Sequence, residues 1–148
     1  MRKGERSGFT LIELLIVIGI IAILAAIVIV AVNPARQLAQ ARNATRNANV
    51  NTILNAVTQN IAENGSFVCT AGAIPATTTN MSSAVGDYDV CSCIVPTYVA
   101  EMPADPSDGS YTDCTTYDSG YTIEMTAENR VTISAPSAEL DETISVTR

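Results

Sequence analysis

The sequence predicts an α+β protein in which a long N-terminal helix, first transmembrane and then amphipathic, packs on a small antiparallel β-sheet. Three observations support this fold class. Residues 9–32 contain 21 apolar side chains in 24 positions. Residues 33–64 keep small and apolar side chains at helical spacing. Residues 65–148 are rich in Thr, Ser, Asp, Gly, Pro and Tyr and include alternating runs that are typical of β-strands.

The composition of the 148 residues argues against catalysis and against nucleic-acid binding. The chain contains no His, which excludes imidazole acid–base chemistry and the common zinc sites. Its formal net charge is −7, whereas phosphate binding needs clustered Lys and Arg. We therefore expect a structural protein rather than an enzyme, with no cofactor and no direct contact to nucleic acid.

Charge is segregated along the chain. Residues 1–8 carry three bases, and three arginines, here called the basic collar, follow the apolar run: Arg36, Arg42 and Arg46. From Glu63 onward there are 13 acids and two bases, a balance of −11. This order indicates a membrane-tethered exported protein with an acidic head. The basic collar has two interpretations, a solvated ring near lipid headgroups or a set of partners for acids on neighbouring subunits.

The apolar run is long enough to cross a bilayer as a helix. Its 24 residues would span roughly 36 Å, against a hydrocarbon core of about 30 Å. A secretory signal has an apolar region of only about 7–15 residues, so the run is too long for one. Glu13 lies inside it, at an insertion cost of about 2.5–3.5 kcal/mol. Glu13 either snorkels to the interface or meets a cation from another chain.

The residues around Glu13 resemble a known export signal. Lys3 to Glu13 read K-G-E-R-S-G-F-T-L-I-E and continue into L-L-I-V-I-G-I-I-A-I-L-A-A-I. This pattern is similar to the class III signal of type IV prepilins and the related pseudopilins. The resemblance implies that prepilin peptidase cuts between Gly8 and Phe9 and N-methylates Phe9. It also implies that the new amine pairs with Glu13 of an adjacent subunit, so Glu13→Ala or Glu13→Val should abolish filaments and leave export and processing intact.

The resemblance carries a function and a domain organisation as expectations. Residues 1–8 would be the leader peptide, 9–32 the transmembrane and polymerisation helix, 33–64 an amphipathic helix and 65–148 the head. The chain would be a single-pass inner-membrane protein that polymerises, with the pilus assembly machinery, into an extracellular type IV pilus. A type II secretion pseudopilin, forming a short periplasmic pseudopilus, is the alternative. Adhesion, motility and DNA uptake are not distinguished.

The boundaries of the second helix have local signals. Asn33 is a suitable N-cap and Pro34, placed at the first helical position, restarts or kinks the helix. Gly65 is a suitable C-terminal cap. The helical stripe has a first half of small or polar residues, suited to packing between helices, and a more apolar second half under the head. The stripe comprises Leu38, Ala41, Thr45, Ala48, Val50, Ile53, Leu54, Val57 and Ile61.

Two alternating runs near the C-terminus predict a β-hairpin. Residues 121–126 and 131–135 alternate strictly, and a four-residue turn connects them. The face expected to pack on the helix consists of Tyr121, Ile123, Met125, Val131 and Ile133. Residues 139–148 would add a short edge strand or stay loose, and residues 75–80 would form a loop.

The stretch Tyr98-x-x-x-x-Pro-x-Asp-Pro106 is also similar to pilins and major pseudopilins and supports a pilin-like head. Some major pseudopilins bind calcium in C-terminal loops, which makes Asp105 and Asp108 candidate ligands. We favour the alternative that they are acidic turn residues and expect no metal.

Four cysteines lie in the head: Cys69, Cys91, Cys93 and Cys114. An even number in a small exported domain predicts disulfides. A Cys91–Cys93 bridge would be strained. The remaining choices are 69–91 with 93–114, which we favour, and 69–93 with 91–114. The spacing lacks the C-x2-C pairs of a zinc site.

Overall fold

The computed structural model describes residues 8–148, without the side chains of residues 30–32. The basic residues 1–7 of the expected leader lie outside the described residues. The chain divides after Gln37 into two units, an N-terminal unit and a larger unit formed by Leu38–Arg148.

The N-terminal unit is dominated by helix α1 (Leu11–Val32). Its 22 residues correspond to about 33 Å, and the segment Leu11–Ile29 is long and apolar enough to cross a membrane. All of its described side chains are exposed, as expected for a helix whose surroundings are lipid or other chains. The backbone leaves the helix at Asn33, which has a left-handed φ of 44°.

Helix α2 (Pro34–Asn64) begins immediately after this interruption. Proline suits the first helical position because its missing N–H would have no intrahelical partner there. The Asn33 side chain accepts a hydrogen bond from the Arg36 N–H at 3.3 Å. At the other end, Gly65 takes a φ of +77° and its N–H donates to the Ile61 carbonyl at 2.8 Å. Both ends of α2 therefore follow from local sequence.

The larger unit contains an antiparallel sheet with the order β1-β3-β4-β5, and β2 also pairs with β3. A one-turn helix, α3, lies between β1 and β2. The elements are β1 (Thr79–Ser82), α3 (Cys91–Ile94), β2 (Ser110–Asp113), β3 (Thr116–Met125), β4 (Val131–Ala135) and β5 (Ile144–Thr147). A long apolar helix, a second helix and a five-stranded antiparallel sheet confirm the α+β, pilin-like class.

The predicted hairpin is confirmed. In β3 and β4, Ile123 pairs with Ile133 and Met125 pairs with Val131. The connecting turn closes where Thr126 N–H donates to the Arg130 carbonyl at 2.8 Å, with Asn129 in the left-handed region. The C-terminal tail adds β5 to the outer side of β4, which is the edge-strand alternative.

The core forms where α2 meets the hairpin, as the apolar periodicity predicted. The second half of the helical stripe contributes Val50, Ile53, Leu54 and Val57, each fully buried. They share one cluster with the inner face of the sheet, including Tyr121, Ile123 and Ile133. Burial of each such side chain contributes about 1.5–3 kcal/mol, so this contact is the main apolar stabilisation of the head.

The first half of α2 buries a different face from the one that we predicted. Leu38, Ala41, Thr45 and Ala48 are exposed, whereas the buried positions are Ala39, Asn43 and Arg46. The loop prediction for residues 75–80 was also wrong at its end, because Thr79 and Asn80 pair with β3. Strand pairing from a distant segment overrides the local composition there.

Both disulfides are present, but the favoured pairing was wrong. Cys69 bonds to Cys93, and Cys91 bonds to Cys114. Cys91 and Cys93 lie two residues apart on α3, so their side chains point about 200° apart around the helix. Cys91 is buried on the side of Cys114, and Cys93 faces the segment that carries Cys69. Each bridge closes a loop of 24 or 23 residues, a constraint of about 3 kcal/mol in the chain-entropy account.

A prediction concerns Gly120, whose φ is +71° and whose added Cβ would lie 2.7 Å from the Asp105 Cβ. Gly65 is a matched control, since its φ is +77° and its added Cβ would meet nothing within 4 Å. We expect Gly65→Ala to cost about 1–2 kcal/mol through backbone strain alone. Gly120→Ala should cost clearly more, because it also displaces Asp105. Denaturant unfolding of both variants measures the difference, and equal losses would contradict this packing argument.

Candidate functional site: the N-terminal motif and the buried arginine cluster

The expected cleavage position lies just before helix α1. Gly8 and Phe9 are not helical, and the exposed fraction of Phe9 is 90%. An added Cβ at Gly8 would meet nothing within 4 Å. Among residues 8–148, nothing therefore covers the Gly8–Phe9 peptide bond, and another protein could reach it.

Thr10 and Glu13 form a capping box at the start of α1. The Glu13 N–H donates to Thr10 Oγ1 at 3.2 Å, while Glu13 Oε2 accepts from the Thr10 N–H at 2.8 Å. The Thr10 hydroxyl also donates to Glu13 Oε2 at 2.7 Å. This reciprocal pattern satisfies donors that a helix N-terminus leaves open, and the helix dipole favours a negative charge there. Glu13 is thus aimed toward the beginning of the helix, beside Phe9.

The surface around Glu13 is apolar. Phe9, Leu14, Ile16, Val17 and Ile18 line a shallow depression that Glu13 borders. The exposed fractions of Leu14 and Val17 are 62% and 53%. Such a surface is unstable in water and requires lipid or protein contacts. The Glu13 carboxylate is the charged group among these apolar side chains, so it distinguishes one axial position along the helix.

A second constellation lies in the larger unit, around a completely buried Arg46. Its Nε donates to Asp105 Oδ2 at 2.7 Å, and its Nη2 donates to Asp105 Oδ1 at 3.1 Å and to the Ser107 hydroxyl at 2.6 Å. Nη1 donates to Glu139 Oε2 at 2.9 Å and to Asn43 Oδ1 at 3.0 Å. These contacts use all five guanidinium N–H groups. Full satisfaction is what makes a buried charge tolerable.

Arg42 and Asn43 extend the cluster. The Arg42 guanidinium meets the Glu139 carboxylate through two hydrogen bonds of 2.6 Å. Asn43 Nδ2 donates to the Glu139 carbonyl at 2.7 Å, and Asn43 Oδ1 accepts from the Glu139 N–H at 3.0 Å. We call Arg42, Asn43, Arg46, Asp105 and Glu139 the arginine cluster.

The arginine cluster changes the interpretation of the basic collar. Arg46 is completely buried against acids of its own chain, so neither interpretation applies to it, and the part-exposed Arg42 also pairs with Glu139 of its own chain. Only Arg36 keeps an exposed position that suits either interpretation. A signal for the buried pair was present, since the 3–4 spacing of Val50 and Ile53, extended backward, reaches Arg46 and Asn43.

The electrostatics of the cluster lower the pKa of both acids. Burial acts to raise the pKa of Asp105, but the hydrogen bonds from Arg46, Ser107 and Asp108 outweigh it and lower this pKa to about 2. The hydrogen bonds from Arg42, then those from Arg46, lower the pKa of Glu139 to about 2. The pKa of Arg46 is raised, chiefly by its hydrogen bond to Asp105. The cluster is therefore fully charged at neutral pH.

Of the two candidate calcium ligands, Asp105 and Asp108, the structure gives Asp105 a structural role. Both oxygens of Asp105 accept from Arg46, and Oδ1 also accepts from the Ser107 and Asp108 N–H groups at 2.9 and 3.1 Å. Within residues 8–148 no group of three or more His, Cys, Asp or Glu side chains could hold a metal. Calcium at Asp105 would have to displace a guanidinium.

Comparison with known proteins identifies the N-terminal motif. Residues 5–29 match the family model described as the prokaryotic N-terminal methylation motif. The match includes Gly8, Phe9 and Glu13, and it supports a type IV pilin-like prepilin, a class that contains pilins and pseudopilins. With the apolar helix α1, it fits a membrane-anchored prepilin. No curated protein sequence and no solved structure matches the chain significantly.

The low pKa of Asp105 predicts an acid-sensitive head. A carboxylate with an ordinary pKa of 3.8 and a folded pKa of about 2 stabilises the fold above pH 4. This stability, about 2 kcal/mol, is lost as the pH falls through about 2. We expect Asp105→Asn to be less stable than wild type at pH 7 and to lose less between pH 4 and pH 2.

Denaturant unfolding at a series of pH values measures this effect. Glu128→Gln, the corresponding carboxylate-to-amide change at an exposed turn residue, serves as the control and should keep the wild-type acid profile. An Asp105→Asn profile parallel to wild type would contradict the assignment of the acid sensitivity to Asp105.

Proposed function

We propose that this chain is the structural subunit of a type IV pilus. It is exported as a membrane-anchored prepilin, cut between Gly8 and Phe9 by prepilin peptidase, N-methylated at Phe9 and polymerised into a surface filament. The methylation motif at residues 5–29 is the observation that supports this function most directly. The polymer is a homo-polymer, and its subunit resides in the inner membrane until the assembly machinery extracts it.

The arrangement at Glu13 supports a polymerisation role. Cleavage after Gly8 creates a cationic amine at Phe9, at the helix end toward which Glu13 points. A lone carboxylate in hydrocarbon costs about 2.5–3.5 kcal/mol, and an ion pair recovers part of that cost. A neighbouring subunit can supply the amine from its own Phe9. Glu13 then fixes the axial register between two apolar helices that would otherwise slide.

Exposed helix surfaces provide the contact area for copies of the chain. Helix α1 exposes large apolar side chains, and the first half of α2 exposes the small side chains Ala41, Thr45 and Ala48. Small side chains permit close approach between helices. We accordingly propose the same domain organisation as the sequence indicated, with residues 1–8 as leader, 9–32 for membrane anchoring and polymerisation, 33–64 as connecting helix and 65–148 as head.

A type II secretion pseudopilin is the second candidate. The stretch from Tyr98 to Pro106 is compatible with it, since this stretch is similar to major pseudopilins as well as to pilins. Asp105 of this stretch binds the buried Arg46, so the stretch has a structural role that either protein needs. Shearing intact cells separates the two functions, because a pilus releases long extracellular fibres and a pseudopilus remains in the periplasm.

The processing step gives the first test. We expect intact-mass spectrometry of the membrane or fibre fraction to find a chain that starts at Phe9 and carries one additional methyl group. Gly8→Val should remain uncut, because a branched side chain shields the scissile carbonyl. Gly19→Ala, a glycine substitution within α1 whose added Cβ meets nothing within 4 Å, should be processed normally. A wild-type chain that keeps Met1 in cells containing the peptidase would reject the proposal.

The second test separates the charge of Glu13 from its capping role. Glu13→Gln keeps the acceptor that a capping box needs but removes the charge. We expect normal processing and a roughly tenfold or greater loss of sheared filaments, since each 1.4 kcal/mol of lost pairing is tenfold. Thr10→Ala, which breaks the cap and keeps the carboxylate, should lose far less. Abundant filaments from Glu13→Gln would overturn the pairing role of Glu13.

A further inference from the structure

The turn at residues 139–142 has a strained backbone. Leu140 and Asp141 both lie in the left-handed region, with φ of 60° and 57°. Cβ crowding makes this conformation unfavourable for non-glycine residues, and it persists only where surrounding contacts over-determine it. Leu140 gains little in return, since its side chain is 43% exposed. Contacts elsewhere must therefore hold this turn in place.

Glu139 supplies those contacts. Its carboxylate accepts two hydrogen bonds from Arg42 and one from Arg46, while its N–H and carbonyl both pair with the Asn43 side-chain amide. Asn43 Nδ2 also donates to Glu142 Oε2 at 3.1 Å. One residue at the entrance of the turn is thus fixed, through every polar group it has, by three residues of α2.

The rest of the C-terminal segment has few buried apolar contacts and relies mainly on hydrogen bonds at the exposed surface. Ile144 is its buried side chain, and Val146 is half-buried. Beyond the backbone pairing of β5 with β4, hydroxyl pairs join Thr132 to Thr147 at 2.8 Å and Ser134 to Ser145 at 2.9 Å. At the exposed surface, Arg148 Nη1 donates to Asn55 Oδ1 of α2 at 2.6 Å, and Arg130 Nη2 donates to the Thr147 carbonyl at 3.3 Å. Segments with few buried apolar contacts and an exposed edge open at lower free energy than the core.

We propose that residues 136–148, here called the strap, detach from the head as one unit while α2 and β1–β4 stay folded. The hydrogen bonds of Glu139 with Arg42, Asn43 and Arg46, here called the latch, hold the strap in its closed position. The hydrogen bonds of Glu139 offset the backbone strain at Leu140 and Asp141, so the closed state depends on these hydrogen bonds. Opening the strap uncovers the outer edge of β4, where Val131 exchanges two backbone hydrogen bonds with Arg148 in the closed state. This inference concerns the head alone and is independent of the proposed function.

Hydrogen–deuterium exchange on the full chain in detergent micelles at neutral pH tests the latch. Glu139→Gln removes the charge held by Arg42 and Arg46. We expect the amides of residues 136–148, together with the Val131 amide, to exchange roughly tenfold faster as a group. The amides of α2 and β3 should exchange as in wild type. Glu128→Gln, the same change at an exposed turn residue, is the control and should alter neither region.

Two results would overturn the proposal. Unchanged exchange of residues 136–148 in Glu139→Gln would show that the charge of Glu139 does not hold the strap closed. Equal acceleration throughout the head would show that the strap has no independent opening.

A second variant keeps the test decisive if Glu139→Gln does not fold. Leu140→Gly removes the left-handed strain at an exposed position and should slow opening, with about threefold slower exchange of the strap amides. Unchanged or faster exchange in this variant would contradict the claim that backbone strain at Leu140 favours opening of the strap.

Discussion

The head depends on the ion pair between Arg46 and Asp105, whose side chains are both completely buried. A buried guanidinium without partners would cost several kcal/mol, so the fold must bring acceptors to it from wherever they lie in the chain. Here the acceptors belong to Asp105 and Glu139, which lie 59 and 93 positions after Arg46 in the sequence. The Asp105 loop and the Glu139 turn are positioned by this requirement as much as by apolar packing. The arginine cluster specifies where irregular segments attach to α2, while the apolar core supplies most of the stabilisation.

Glu13 is also a charged residue for which an apolar environment is unfavourable, but its contacts differ from those of Arg46. Arg46 finds its counter-charges within its own chain, whereas among residues 8–148 Glu13 receives hydrogen bonds from Thr10 and forms no ion pair. In an apolar environment this difference matters, because hydrogen bonds from a hydroxyl and an amide leave the carboxylate ionic. A compensated charge stabilises a fold and an uncompensated one favours association with a partner. The contrast between these two residues is consistent with the proposed function, in which the head is stabilised by its own charges and Glu13 pairs with a neighbouring copy.

Sequence reasoning was accurate where the determinants are local or periodic. The methylation motif, the cap at Asn33 and the β3–β4 hairpin depend on short patterns, and alternation predicted that Ile123 and Ile133 share one face, where they pair. The pairing of Arg46 with Asp105 was missed because composition suggested a solvated arginine among Ala and Asn. The disulfide pairing was missed because it depends on α3, whose four residues have no periodicity to detect. Both failures concern contacts between segments that only the tertiary fold brings together.

The internal use of two collar arginines also changes the electrostatics of assembly. Leu38–Arg148 contains 13 acids and four arginines, which leaves a charge of −9, and two of those arginines are already neutralised within the arginine cluster. Copies of this unit therefore repel one another, with a range of about 8 Å at physiological salt. In a polymer, attraction must then come from the apolar helices, and head repulsion limits how tightly the subunits approach. Arg36, exposed within the N-terminal unit, is the collar residue whose charge remains available to acidic neighbours.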